Sequence, residues 1–223
     1  MRSRPAEPAA LPPRTLLIDY GGVLTTSVFD AFAAFCVAAG LPPDALRRCL
    51  REDAEASRLL VAVERGELPA LEFEHGLAAR LATFSGLPVD GDRLIERMTA
   101  ALEPESLMIE ATAALRGLGV TTVLVSNSHG DGGYGLCELS RLFDHVVVSG
   151  RVGARKPSRA IYRLALEAAV TPAEACVMVD DLEQNLAGAA RLGIRTVHHR
   201  NAAATVAALE QAFEVSLDTG VVR

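Results

Sequence analysis

Asp19 closes the apolar run Leu16-Leu17-Ile18 and is followed at once by Tyr20-Gly21-Gly22. Ser126-Asn127 closes Val123-Leu124-Val125, Lys156 lies in Gly153-Ala154-Arg155-Lys156-Pro157, and Asp180-Asp181 closes Val177-Met178-Val179. A carboxylate with an ordinary pKa of about 3.9 is ionised at neutral pH and can attack phosphorus without a base. Attack by an anion on a phosphate dianion is repulsive, so cations must screen the two. Asp19, Asp180 and Asp181 offer hard oxygen ligands suited to Mg²⁺, which takes few carboxylates and keeps several waters. Ser126 and nearby backbone amides can hydrogen-bond phosphoryl oxygens. The Lys156 ammonium can neutralise charge on both nucleophile and transferred group. Phosphoryl transfer is the chemistry this set can do.

Composition singles out one of these groups. Lysine and arginine together number 22, and Lys156 is the only lysine. Arginine evidently supplies positive charge everywhere else, which makes Lys156 a candidate for a role that a wide planar fork cannot fill and a slender point charge can.

These residues need a scaffold that gathers them. Five apolar, mostly β-branched or Leu-rich segments read as buried parallel strands: Thr15–Asp19, Val120–Ser126, His145–Ser149, Cys176–Asp180 and Ile194–His198. Helical patterns at Pro157–Ala169 and Leu182–Leu192 separate later strands, and Thr171-Pro172-Ala173-Glu174 is a capping-box pattern with Pro at the first helical position. The fold class expected is α/β: a Rossmann-like parallel sheet with helices on both faces and ligands bound beyond the strands' C-terminal ends. Between Ser27 and Glu105 the strand signal vanishes. Apolar residues there share helical faces: Val28, Phe32 and Phe35; Phe73, Leu77, Leu81 and Phe84; Leu94, Met98 and Leu102. The expected organisation is a flexible tail over 1–14, an α/β core over 15–27 and 105–223, and an all-helical cap over 28–104, sitting above the first strand's C-terminal end.

Several function classes are excluded. Net charge is −6 with no basic stripe, so nucleic acid is not an expected partner. No long apolar run suggests a membrane span, and the Pro-, Ala- and Arg-rich start has no signal-peptide core, which points to a cytoplasmic protein. Cys36, Cys49, Cys137 and Cys176 are scattered without metal-like spacing and read as buried free thiols. Gly130-Asp131-Gly132-Gly133-Tyr134-Gly135 matches the spacing of a dinucleotide-binding turn, but it begins several residues after its strand, and no acid follows the next strand to hold a ribose.

Four segments, IDYGGVL, VLVSNS, the lysine of GARKP, and VMVDDLEQN, resemble in order and spacing the sequential motifs of the haloacid dehalogenase-like (HAD) hydrolases. The likeness covers nearly the whole chain after the tail. It is especially close to the phosphatase branch in the stretch from Gly153 to Val197 and in ERGELPALEF of the helical segment. The resemblance implies that Asp19 is the nucleophile and Lys156 the charge clamp, with Ser126 and Asn127 binding the phosphoryl group. It implies an Mg²⁺ site of Asp19, the Gly21 carbonyl, Asp180 and Asp181, with Asp181 as the direct ligand of the pair. The expected partner is a small phosphorylated substrate. For Asp180-Asp181 the plainer alternative is a helix N-cap pair, and Asn185 is either a solvated helix residue or an orienting group for the acids.

One departure stands out. Most phosphatases of this family carry a second Asp two residues after the nucleophile, which protonates the leaving oxygen and then activates water. Here that position is Gly21. Three readings are open: an enzyme for substrates with good leaving groups, a proton supplied by water or by Asp30, Glu55 or His129, or a protein that binds a phosphorylated ligand without turnover. A 2-haloacid dehalogenase of the same superfamily is the rival enzyme, since it too attacks with Asp and lacks the second carboxylate. The histidines add little: His75 is expected to be exposed and His198-His199 structural.

Overall fold

The computed structural model describes residues 12–128 and 141–217. Each expected apolar run is a strand: β1 (Thr15–Ile18), β2 (Thr121–Ser126), β3 (His145–Val148), β4 (Cys176–Asp180) and β5 (Arg195–His198). They pair in parallel in the order β3-β2-β1-β4-β5, which places β1 and its following residue at the centre of the sheet. Pairing begins before β1 proper. Arg14 donates its N–H to Ala175 and accepts from Thr121 N–H, so the chain is already tied down at a position expected to be tail.

Side-chain alternation along the strands splits their apolar residues between two cores. Leu16, Ile18, Leu124, Val177 and Val179 pack with Met108 and Leu115 of α6 (Ser106–Gly117) and with Leu209 and Phe213 of α10 (Ala202–Phe213). On the opposite face Leu17, Val123, Val125 and Met178 pack with Ile161 and Tyr162 of α8 (Arg159–Ala168) and with Leu186 and Ala189 of α9 (Glu183–Ala190). The fold is therefore the expected α/β one, a parallel sheet with helices on both faces. The capping-box pattern at Thr171 does not open a long helix. It opens one 3₁₀ turn, Ala173–Ala175, because the chain must enter β4 at Cys176.

The stretch after β1 is helical as expected: α1 (Val28–Ala38), α2 (Ala45–Glu52), α3 (Ala54–Glu64), α4 (Ala70–Ser85) and α5 (Leu94–Thr99). These helices bury a third core that includes Phe35, Leu46, Phe73, Leu77, Leu81 and Met98. Leu102 falls beyond the end of α5 and lines a cavity instead of that core. Asp53 caps α3, accepting from the N–H groups of Glu55 and Ala56 at 3.0 and 2.9 Å, and pairs with Arg80 of α4. Cys36, Cys49 and Cys176 are buried free thiols, and Cys137 lies outside the described residues.

Two contacts fix this helical unit against the sheet layer. Where the chain leaves and rejoins that layer, Thr25 and Pro104 form an antiparallel bridge, flanked by Thr26 N–H donating to Glu103 (2.8 Å) and Glu105 N–H donating to Leu24 (2.9 Å). At the other attachment the end of α3 meets α7 (Ser149–Val152). There Arg155 Nε lies 2.5 Å from Glu64 Oε2, with both side chains largely buried. Gly66, at φ 69°, lies so close to the Gly150 carbonyl that a Cβ would overlap its oxygen. Among the described residues no helix is long and apolar enough to cross a membrane.

Candidate active site

Parallel strands ending side by side bring their last residues to one edge of the sheet. Asp19 follows β1, Ser126 ends β2 and Asp180 ends β4, and all three are buried. Lys156 is 1% exposed, and its Nζ lies 2.7 Å from Asp19 Oδ1 and 2.7 Å from Asp180 Oδ2. Carboxylates as far apart in sequence as 19 and 180 thus converge on a single ammonium.

The second oxygens of the two carboxylates differ in use. Asp180 Oδ1 accepts from Leu182 N–H (2.9 Å) and from the Asn185 amide (2.8 Å), so this carboxylate is occupied on both oxygens. Asn185 is buried, and its carbonyl accepts from the Tyr162 hydroxyl at 2.7 Å. Of the two readings open for Asn185, orienting the acid is the one its geometry matches. Asp19 Oδ1 takes Lys156 and its neighbour's Tyr20 N–H (2.7 Å), whereas Oδ2 accepts no hydrogen bond from the described residues.

Asp181 completes a cluster in which one oxygen from each of Asp19, Asp180 and Asp181 lies within 4.8 Å of the others. Apart from its own backbone N–H, no described group hydrogen-bonds its carboxylate. The backbone makes room for it: Gly22, at φ 76°, approaches so closely that a Cβ would lie 2.6 Å from Asp181 Oδ2. The second glycine of the Gly21-Gly22 pair therefore has a steric reason to be glycine. Gly21 has a different neighbour, for a Cβ there would meet Val28 Cγ2 at 2.8 Å.

Burial pushes the Asp19 carboxyl up to about 7, with Lys156 pulling the other way. Asp181 is pushed up to about 6 by burial and by the adjacent Asp180. For Lys156 burial opposes the charge, but the two carboxylates outweigh it and hold the ammonium above its ordinary value. Three carboxylates face one cation, so the donor set, all hard oxygen with one unused member, fits a divalent ion.

Asn127 has a duty that its sequence position did not reveal. Its Oδ1 accepts from Lys156 N–H (2.8 Å) and its Nδ2 donates to the Lys156 carbonyl (3.1 Å), pinning the lysine's backbone from both sides. Ser149 braces the same edge by accepting from Ser128 N–H at 2.9 Å. Gly188 of α9 lies so close to the turn after Lys156 that a Cβ would lie 2.7 Å from the Pro157 carbonyl oxygen. Tyr162 and Glu64 carried no motif, and only tertiary packing exposes their positions, whereas Ser149 was already expected at a strand end on this edge. His129 and the glycine-rich 130–135 stretch lie outside the described residues.

A cavity of about 620 Å³ opens over this edge, lined by Gly21, Ser126 and Asn127 on the sheet side and by residues of α1 and α5 on the other.

The family model for haloacid dehalogenase-like hydrolases matches residues 13–193. Bifunctional epoxide hydrolase 2 of Rattus norvegicus is 33% identical over 111 residues, 47% of this chain and 20% of that protein. The chain thus spans about a fifth of the length of that relative. Sesquiterpene phosphatase astK of Aspergillus oryzae is 28% identical over 154 residues, 66% of this chain and 76% of that protein. Among solved structures, a HAD family enzyme of Bacteroides thetaiotaomicron in complex with magnesium and inorganic phosphate is 20% identical, with 84% of this chain and 94% of that one covered at a TM-score of 0.62. An L-2-haloacid dehalogenase is 24% identical, with 85% and 87% covered at a TM-score of 0.65. At these identities the two structures speak to the fold.

Proposed function

The chain belongs to the haloacid dehalogenase-like hydrolase family, and within it we propose a Mg²⁺-dependent phosphatase that acts on a small phosphorylated metabolite through phospho-Asp19. The observation that carries this reading is Asp181. A site that attacks with Asp19 and clamps with Lys156 and Asp180 is complete for halide displacement without it. A third carboxylate, cleared of contacts by Gly22 and left over from the Lys156 pairing, is a liability unless a cation answers it. Asp181, Asp19 and the Gly21 carbonyl would hold the ion, whose charge would screen nucleophile from phosphate and favour the ionised carboxylates. The astK name and the magnesium and phosphate in the Bacteroides enzyme agree with this reading.

The chain's own residues then divide the work. Asp19 Oδ2, which accepts no hydrogen bond from the described residues, forms the new bond to phosphorus as the ester oxygen departs with the P–O bonding pair. Lys156 holds Asp19 Oδ1, aims the carboxylate and offsets charge on the transferred group. Ser126 hydroxyl and the Asn127 N–H bind phosphoryl oxygens, the Asn127 amide being committed to the Lys156 backbone. Water then attacks phospho-Asp19 and releases inorganic phosphate. The departing oxygen takes its proton from water, since Gly21 offers none, and this favours leaving groups that depart as stable anions. The helices over 28–104 act as the cap domain that closes over these residues.

Phosphate release from a panel of monoesters, with Mg²⁺ and with chelator, tests the reading. Turnover requires Mg²⁺, and Asp19→Asn lowers it by at least about a thousandfold. Turnover that survives either treatment, or halide release from a 2-haloacid, overturns it.

A further inference from the structure

The cavity that joins the sheet edge to the helices carries information about what surrounds the phosphoryl group. Its walls away from Ser126 and Asn127 are largely carbon: Val28 and Phe32 of α1, Ile95 of α5, then Leu102 and Pro104. Each of the first four is half-buried, so a ligand here covers surface that the fold leaves partly wet.

Net charge in the same cavity is negative. Arg93 is the only cation among the described lining residues, and Glu96 already answers it, at 2.7 Å from Nε to Oε2. Glu74 and Glu103 also line the cavity, and no described cation pairs with either. Glu74 Oε1 is engaged by the Ile95 N–H (3.0 Å), a partner that leaves its negative charge in place. A second phosphate or a carboxylate on the substrate's alcohol part would enter a field that repels it and would find no free cation among the described residues.

We propose that the substrate is a phosphomonoester whose alcohol part is uncharged and largely apolar, and that Glu74 and Glu103 exclude substrates bearing a second anionic group. The inference rests on the phosphatase reading, and the pocket's preference is tested separately by binding without turnover. The carbon wall decides for a neutral body over a cationic one, because burying an ammonium against Val28, Phe32, Ile95 and Leu102 costs hydration that the attraction of the exposed Glu96 and Glu103 only partly repays.

Three aryl phosphates separate the possibilities: 1-naphthyl phosphate, 3-carboxyphenyl phosphate and 3-(aminomethyl)phenyl phosphate. The neutral ester is expected to exceed the carboxylated one in kcat/KM by about tenfold at low salt, and to exceed the amine as well. Glu103→Gln is expected to narrow the first gap severalfold. Equal efficiencies, or preference for the carboxylate or the amine, overturn the inference while leaving a phosphatase. No phosphate from any ester overturns the phosphatase reading instead. Calorimetric binding of 1-naphthylmethylphosphonate against 3-carboxybenzylphosphonate then decides the pocket's preference without turnover. Tighter binding of the neutral phosphonate supports the inference, and equal or reversed affinities refute it.

Discussion

Lys156 and Gly21 mark the two extremes of what single residues disclose. The lysine declared itself by being the only one in a chain that otherwise uses arginine, and its slender ammonium fits between two carboxylates 2.7 Å away on either side. Asn127 sits next to a motif serine, yet its job is to hold a backbone 29 residues further on, a contact that no local pattern encodes. The Asp180-Asp181 pair was legible as acidic; which oxygen was already spent was not. Gly21 is absent acid and also absent space, because Val28 Cγ2 stands 2.8 Å from where its Cβ would be. A β-branched side chain at a helix start has little rotamer freedom with which to retreat. Gly21→Asp alone is therefore expected to lower Tm and to leave hydrolysis of poor leaving groups slow. Combined with Val28→Ala, it is expected to raise kcat for simple alkyl phosphates by up to about a hundredfold. A single variant that already performs as well as the double one would show that Val28 is no obstacle.

Elements were legible where burial imposes a period. The central strands β1, β2 and β4 are buried along nearly their whole length, β3 is partly buried and the edge strand β5 is not buried, yet all five appear within a residue or two of the expected limits. Thr171–Glu174 misled because capping chemistry is local, while the length of the helix it opens is limited by the need to reach β4. Least legible was how α3 meets the sheet layer. Glu64 belongs to a helix whose other charged residues, Glu55 and Arg58, are half-buried and exposed respectively, yet it is 9% exposed and faces Arg155, next in sequence to Lys156. Burial raises its carboxyl against the pull of Arg155. Removing one partner leaves the other desolvated and alone, so Glu64→Ala is expected to cost about 3 kcal/mol of stability by denaturant titration. Gly66→Ala, which puts a methyl onto the Gly150 carbonyl, is expected to destabilise independently. Unchanged stability in Glu64→Ala would mean that the ion pair is incidental to the seam.

At the scale of the molecule there are three apolar cores, and two carboxylates away from the site, one in the helical unit and one in the sheet layer, add a pH dependence of their own. Asp53 is held below its ordinary 3.8 by the hydrogen bond from Arg80 and by the α3 N–H groups it caps. At Asp144 burial works upward, but Thr122 N–H and Arg116 outweigh it and the net direction is down. An acid whose folded pKa lies below its unfolded one stabilises above the unfolded value and loses that contribution as pH falls through the folded value. Calorimetry should therefore show Tm falling below the ordinary carboxylate range. Asp53→Asn should be less stable than the parent at pH 7, with the gap closing as pH falls below the ordinary carboxylate range; a gap independent of pH would refute the assignment. The paired crossings at Thr25 and Pro104 have a separate consequence. Because the chain leaves and re-enters the sheet layer at hydrogen-bonded neighbours, everything between them is, to the sheet, one long hairpin loop. Closing a loop costs only logarithmically more as it lengthens. A splice at those two points can exchange one helical insert for another and keep the strands that deliver Asp19, Ser126 and Asp180, provided the new insert answers Arg155 as Glu64 does. Descent can thus exchange the helical insert while the sheet that carries these three residues is kept.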